Sequence, residues 1–548
     1  VILRDYQQQA HDNTLEAFKT KQAVLIVCAT GLGKTVIAAH IAKEFANRGR
    51  ILLLAHREEL LTQGQDKLER VTGERTEVEM ADQWASKSAI WGGAQIVVST
   101  IQTQIAGRDG GRMNRFDPND FSLVIVDEAH HATAASYRKV IAHYRQNPNV
   151  RILGLTATPD RADEEALVQV FDEVSFEFDI SDGIDGGWLV PVMQQAVYVE
   201  GLDYTNVRTT AGELNGKDLN EVLEFEANLH GMTTPILDLC TDRKALVFTA
   251  SVAQAERMAE ILNRHKSESA EYVCGTTPKE YRRDLFKRYA EGKFQYLVNV
   301  GVATEGFDEP GIECIVMARP TKSRTLFAQM AGRGTRPLPG TVDGVDTADA
   351  RKALISLSAK PYMEIIDFVG NAGRHKLMHA ADILGGKYSD EVVELATRIA
   401  EKQDKPVDIA SELAKAEREI DRRRREREEA VVRAKIKLQS QYSTSKINPF
   451  DVLDIIPCRE PGWHKGRVPT MKQKTCLEKF GVTPPDELTF VHASQLIDRL
   501  IKRAKEGRPT FKQSKLLARF NYKPEEMTFA EAGEIITQLA ANGWRRTG

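Results

Sequence analysis

An apolar run, Ala23 to Val27, feeds a glycine-rich turn, Ala29-Thr30-Gly31-Leu32-Gly33, and beyond Lys34-Thr35 the residues Ile37, Ile41 and Phe45 recur at helical spacing. A buried strand, a tight turn and an amphipathic helix in that order point backbone N–H groups at an anion, and the helix dipole adds to the attraction. The spacing predicts a phosphate cradle lined by Thr30, Gly31, Leu32 and Gly33, with Lys34 reaching the β- and γ-phosphates and the Thr35 hydroxyl ligating magnesium. The strict six-residue loop pattern asks for glycine at position 28, where this chain has Cys28. A second apolar run, Leu123 to Val126, ends in Asp127-Glu128-Ala129-His130. Carboxylates just past the C-terminal end of a strand stand where open α/β sheets bind ligands. Asp127 is expected to hold magnesium, and Glu128 to orient or deprotonate an attacking water. His130 is expected to couple this site to a second domain, and His131 to lie at the surface.

The apolar runs set the architecture. Ala23 to Val27, Ile51 to Leu54, Ile96 to Val98, Leu123 to Val126 and Ile152 to Leu155 read as buried strands separated by amphipathic stretches. Such alternation predicts a parallel sheet covered on both faces. The pattern lapses over 181–231 and restarts, with Ala245 to Phe248, Tyr296 to Val300, Cys314 to Met317 and Met363 to Ile366 as strands of a second α/β domain ending near 370. The expected division is 1–180, a bridge over 181–231, 232–370, a charged helical arm over 371–450, and a last module over 451–548. In the arm, Arg422 to Arg425 are diluted by Glu426, Glu428 and Glu429, which reads as a solvated helix before a nucleic-acid contact.

The last module is an internal repeat. Pro469-Thr470-Met471-Lys472-Gln473 returns as Pro509-Thr510-Phe511-Lys512-Gln513, and Thr489-Phe490 returns as Thr528-Phe529. Each copy, about 468–505 and 508–545, reads as two short helices, the first capped by Thr470 or Thr510. One copy buries little alone, so the two are expected to pack together. They read as a docking module for a protein partner or nucleic acid, or as a structural cap.

Bulk properties exclude some classes. With 42% hydrophobic and 28% charged residues the chain suits a globular fold. No apolar stretch has the length to span a bilayer, and no signal peptide opens the sequence. The six cysteines form no C-x-x-C pair, which points to a reducing cytoplasm and against a zinc ribbon. At a formal net charge of −3, any nucleic-acid surface is a local groove.

Further stretches carry a family likeness. They are Leu3-Arg4-Asp5-Tyr6-Gln7, Leu54 to Leu60, Ser99-Thr100-Ile101-Gln102, Gly154 to Pro159, Asn299 to Asp308 and Gln329 to Arg336. With the two motifs above they resemble the superfamily 2 DEAD/DEAH-box helicases, the RadD-like and phage UvsW-like group among them, over residues 1 to about 370. The resemblance implies two tandem RecA-like domains, ATP and magnesium as cofactors, and nucleic acid, DNA before RNA, as the track. Arg4 and Gln7 would read adenine, with Arg4 and Tyr6 flanking the base. Arg333 and Arg336, three apart, would meet the γ-phosphate from the second domain, Gln329 would help place the water, and Gly306 and Asp308 would link the cleft to the track. Arg57 and Thr100 would grip phosphates from the first domain, and Thr249, Ser251 and Thr304 from the second. RadD-like proteins carry cysteine-rich zinc elements that this chain lacks, so its tail is not explained by the resemblance. The reading is an ATP-dependent nucleic-acid helicase or translocase. The alternatives are an ATP-gated clamp that recruits a partner without unwinding, and an RNA helicase.

Overall fold

The computed structural model describes residues 2–544 apart from 57, 90–91, 108–110, 158–165, 211, 304–306, 373–374, 387, 404, 438–448, 454, 456, 486, 519, 521 and 543, and for residues 58–63, 427–437, 451 and 525 the backbone alone. The chain divides into two compact units, Val1–Gly386 with Glu394–Ala414, and Lys387–Val393 with Lys415–Gly548.

The first unit contains two seven-stranded sheets. In the first, β1 (Ala23–Cys28), β2 (Arg50–Ala55), β3 (Thr76–Glu79), β4 (Ile96–Thr100), β5 (Phe121–Val126), β6 (Arg151–Thr156) and β7 (Glu173–Phe178) run in the order β3-β4-β2-β5-β6-β1-β7. All its pairings are parallel. Strands β1, β2, β4 and β5 are buried along their whole length, as continuous apolar runs under helices on both faces require. The expected five strands are all present. The outermost two, β3 and β7, alternate charged or polar with apolar residues and escaped a search for apolar runs.

The second sheet holds β8 (Val192–Asp203), β11 (Ala245–Phe248), β12 (Ala270–Val273), β13 (Tyr296–Asn299), β14 (Cys314–Met317), β15 (Met363–Asn371) and β16 (Val407–Asp408), in the order β12-β13-β11-β14-β15-β8-β16. Only β16, against β8, is antiparallel. A short hairpin, β9 (Thr209–Thr210) with β10 (Glu213–Leu214), stands apart. This corrects the expected bridge over 181–231. Its stretch Val192–Asp203 is β8, which pairs with β15 and belongs to the second sheet. Among the described residues no helix is long and apolar enough to cross a membrane.

In the second unit the tail copies are helix pairs, Met471–Lys479 with Phe490–Lys505 and Phe511–Ala518 with Phe529–Ala541. Thr470 and Thr510 accept hydrogen bonds from the N–H groups of Gln473 and Gln513 at 3.2 and 3.3 Å, so each caps its helix. Phe511 of the second copy is buried in the apolar cluster of the first, which also contains Leu477, Leu496 and Leu500. In the arm, Arg422 pairs with Glu419 and Glu426, and Arg423 with Glu419, as a solvated helix face would.

Candidate nucleotide site

Because the first sheet is parallel, β1, β2, β5 and β6 end at one edge. Val27 stands opposite Thr156, and Leu54 opposite Val126. The turn after β1 puts Gly31 and Gly33 at φ +90° and +79°, a left-handed region that glycine enters without a Cβ penalty. A Cβ on Gly33 would stand 2.7 Å from the Gln7 amide nitrogen. Gly33 caps the helix Lys34–Phe45. The Lys34 ammonium donates to the Cys28 carbonyl at 3.1 Å. Cys28 itself is fully buried, and burial pushes its thiol up to about 12. The departure from the strict pattern therefore adds a neutral core side chain, and the loop backbone keeps its task.

The element near the N-terminus holds this loop. The Tyr6 hydroxyl and the Gln7 amide both donate to the Leu32 carbonyl, at 2.8 and 3.1 Å. The Gln7 amide oxygen accepts the Arg4 backbone N–H at 3.0 Å. The expectation that Tyr6 flanks a base is corrected. Its ring is buried and stacked on Phe178, centroids 4.7 Å apart, and so serves the loop. Arg4 lies over Trp188 at 4.7 Å and pairs with Asp343 at 3.1 Å.

Past β5, the Asp127 carboxylate accepts the Glu128 N–H at 3.0 Å. Glu128 takes a left-handed backbone conformation, φ +48° and ψ +52°. Its buried carboxylate lies 3.4 Å from His130 Nδ1, which is also 3.3 Å from the Thr156 hydroxyl. Burial raises the Glu128 pKa, but the His130 hydrogen bond and the charges of Lys34, His130 and Arg333 outweigh it and hold the carboxyl well below the usual range.

From the second sheet's domain comes the helix Arg324–Ala331, capped by Ser323. Arg333 is buried and donates to the Phe307 carbonyl at 2.6 Å. A Cβ on Gly332 would stand 2.6 Å from Thr30 Cβ, and one on Gly31 would stand 3.1 Å from Arg336 Cγ. Arg336 pairs with Asp308. The backbone carbonyl of Arg336 accepts from the ammonium of Lys360 at 2.7 Å, and that ammonium also donates to the Pro310 carbonyl at 2.6 Å. The structure thus brings Lys34, Asp127, Glu128, Arg333, Arg336 and Asp308 to one cleft. Gln329 is buried on the helix that leads to Arg333.

Two residues of this site were missed in the sequence. Lys360 is 1% exposed and sits far from any recognised motif. Lys67, on the helix Glu58–Thr72, lies within the fields of Asp308, Arg336, Asp127 and Lys34, and burial lowers its pKa. One cation on an amphipathic helix carries no signal in a single sequence.

The track residues fare differently. Thr100 is 8% exposed and its hydroxyl caps the helix Ile101–Ile105 by accepting the Thr103 N–H at 3.2 Å. Thr249 is 1% exposed and donates to the Asn299 carbonyl, which withdraws it from direct contact with a phosphate. Ser251 caps the helix Val252–His265 and donates to Glu224. Arg57, Thr304 and Gly306, with Thr158 and Pro159, lie outside the described residues.

The residues fit a magnesium nucleotide. The glycine cradle has no room for a Cβ at position 33. Among the described residues, Gln329 Nε2 and Arg336 Nε are buried without a hydrogen-bond partner. Thr35 and Asp127 supply the oxygen donors that magnesium favours.

Known proteins share this layout. Residues 1–161 match the family "Type III restriction enzyme, res subunit", and residues 232–337 the "Helicase conserved C-terminal domain". The chain is 29% identical over 419 residues to "Putative ATP-dependent helicase IRC3" of Saccharomyces cerevisiae, covering 72% of this chain and 55% of that protein. It is 29% identical over 337 residues to "Putative DNA 3'-5' helicase Rad25" of Halobacterium salinarum, covering 61% of this chain and 52% of that protein. The chain therefore spans about half the length of these relatives. A solved fragment described as a putative HsdR subunit of a type I restriction enzyme from Vibrio vulnificus shares the fold, with a TM-score of 0.50 at 21% identity, covering 69% of this chain and 70% of that one. With one half of the cleft matched by a restriction-enzyme res-subunit model and the other by a helicase C-terminal model, and the arginine-bearing segment lying against the phosphate loop, the chain is similar to the superfamily 2 helicases.

Proposed function

We propose that this protein is an ATP-dependent nucleic-acid helicase or translocase, acting on DNA in preference to RNA. One observation carries the reading: Gly332 and Arg336 of the second domain pack against Thr30 and Gly31 of the first. A nucleotide held there touches both domains, so its hydrolysis alters how they pack. Magnesium, held by Thr35 and Asp127, would neutralise phosphate charge. Lys34 moves from the Cys28 carbonyl to the β- and γ-phosphates. Glu128, ionised at neutral pH and oriented by His130, accepts a proton from the attacking water. Arg333 and Arg336 stabilise the charge that builds on the γ-phosphoryl oxygens, and Gln329 positions the water. The preference for DNA rests on the relative named a DNA helicase.

The tail repeats act in this proposal as a docking module for nucleic acid or a protein partner. Residues 459–519 carry fourteen lysines and arginines against six acidic residues, in a chain of net charge −3. The test of the whole reading is ATPase rate and strand release on single-stranded, forked and duplex DNA and on the same sequences as RNA. ATPase activity indifferent to every nucleic acid would overturn it. Strong stimulation without strand release would replace unwinding by an ATP-gated clamp.

A further inference from the structure

The low aromatic content, 7%, gives no reason to look for base stacking. The surface beside β4 supplies one. Trp84 is 58% exposed, yet its ring rests against two anchored arginines. The platform beneath it starts at Glu79, the last residue of β3, whose side chain is 0% exposed. Arg115 grips both Glu79 oxygens at 2.7 Å, and Arg112 reaches the same carboxylate at 3.4 Å. Arg112 also donates to the Ala81 carbonyl at 2.6 Å, and Arg115 to the Ala85 carbonyl at 3.3 Å. The two guanidinium carbons lie 3.7 and 4.4 Å from the centre of the Trp84 ring. Met80 and Gln83 exchange backbone hydrogen bonds at 3.1 and 2.8 Å, and Ala81 sits at φ +49°, so the turn carrying Trp84 is closed on itself.

An exposed indole on a rigid cationic base costs conformational freedom and solvation with no gain in the folded core. Its address indicates what it meets. Glu79 stands opposite Ser99 in the sheet, and the Ser99 hydroxyl donates to the Glu79 carbonyl at 2.8 Å. The ends of β3 and β4 lie at the same edge of the parallel sheet as the ends of β2 and β5, the edge that carries Asp127 and the phosphate turn. The Arg112 N–H donates to the Ala106 carbonyl at 2.9 Å, directly after the helix Ile101–Ile105. The platform and the end of β4 are therefore one rigid piece. Glu79 and the turn residue Asp82 offset the two arginines in number, but it is the guanidinium groups that lie against the ring, so the charge nearest the indole is positive, which suits a polyanion.

We propose that Trp84, held by Arg112 and Arg115, is a stacking platform for an unpaired nucleobase of the nucleic acid that the motor engages. This deepens the helicase reading and rests on it. Every base has a π face, so the platform is indifferent to sequence and to the sugar, and it favours single strands and fork junctions over closed duplex. Arg112 and Arg115 fix the indole and add attraction for the neighbouring phosphates.

Equilibrium binding of the full chain to fluorescein-labelled oligonucleotides, by anisotropy, tests this. The probes are a single strand, a fork and a blunt duplex, in DNA and in RNA. Trp84→Ala should weaken single-strand and fork binding roughly tenfold in both chemistries. It should leave blunt-duplex binding, and the slope of log affinity against log salt, as in the unaltered chain, because no cation is lost. Trp84→Phe should recover most of the affinity. Thermal melting of both variants should match the unaltered chain, since the side chain is exposed. Equal binding by Trp84→Ala and the unaltered chain overturns the platform and leaves the helicase reading standing. So does a loss as large on blunt duplex, or one that Trp84→Phe fails to recover. Failure of the unaltered chain to bind any probe overturns both.

Discussion

Glu128 shows how much chemistry one position concentrates. Its left-handed backbone costs on the order of 1–3 kcal/mol for a residue with a Cβ, and the Asp127 carboxylate offsets part of that by accepting its N–H. The turn aims the carboxylate into the cleft, and His130 with nearby cations keeps it ionised. Glu128→Gln keeps the shape and removes the base proposed above. ATP binding should persist while turnover falls about 10²- to 10⁴-fold, measured by nucleotide titration beside a phosphate-release assay. Lys360 makes the second prediction at this scale. Burial lowers its pKa from the ordinary 10.5 to about 7. Glu313 and Glu309 oppose that shift and Arg336 adds to it. The unfolded chain therefore binds a proton that the folded one has lost between about pH 7 and 10.5. Stability contributed by this group rises with pH across that window. Lys360→Met should lose the rise, seen as a smaller gain in melting temperature between pH 7 and 9 than the unaltered chain shows.

At the scale of elements, the turn between β1 and its helix was legible because few sequences can make it. Positive φ at Gly31 and Gly33, and the 2.7 Å approach to Gln7, leave glycine alone at position 33. Gly33→Ala should abolish tight ATP binding without unfolding the chain, as judged by circular dichroism and nucleotide titration. The central strands were legible for a similar reason: β1, β2 and β5 are buried on both faces, and continuous apolar runs have few other readings. The outer strands were hidden. In β3, Thr-Glu-Val-Glu reads as a charged loop until its neighbour is known, and β8 mixes Gln195 and Tyr198 into its length because only part of it is covered. Hydroxyls misled in another way. Thr100 and Ser251 fit phosphate-gripping motifs, yet each is an N-cap, and a sequence does not say which backbone N–H a hydroxyl will meet. Glu79, Arg112 and Arg115 were illegible because their meeting depends on the strand order β3-β4 and on a buried carboxylate that composition does not reveal.

At the scale of the whole molecule, the phosphate turn of one sheet and the arginine segment of the other share one surface. Arg336→Ala should leave ATP affinity within a few-fold of the unaltered chain while lowering stimulated hydrolysis about 10³-fold or more. Equal loss of binding would mean that the arginine holds the ground state and not the transition state. The tail belongs to a separate compact unit with its own apolar clusters. Removing residues 450–548 should preserve turnover at saturating single strand and change which branched substrates stimulate it, read from ATPase titrations across the panel.

The bonds around Leu32 carry a final consequence. In this structure the Gln7 amide nitrogen and the Tyr6 hydroxyl both rest on the same carbonyl of the phosphate turn, and the amide oxygen is held by the Arg4 backbone. A purine presented to Gln7 finds a second lone pair open on the amide oxygen, but the amide nitrogen is already engaged. To accept from that nitrogen a base must displace contacts that already exist, so this part of its recognition is an exchange with little net energy. Selectivity among nucleobases then appears as a difference in how readily the turn is released: a mismatched base would occupy the pocket yet leave Leu32 tethered.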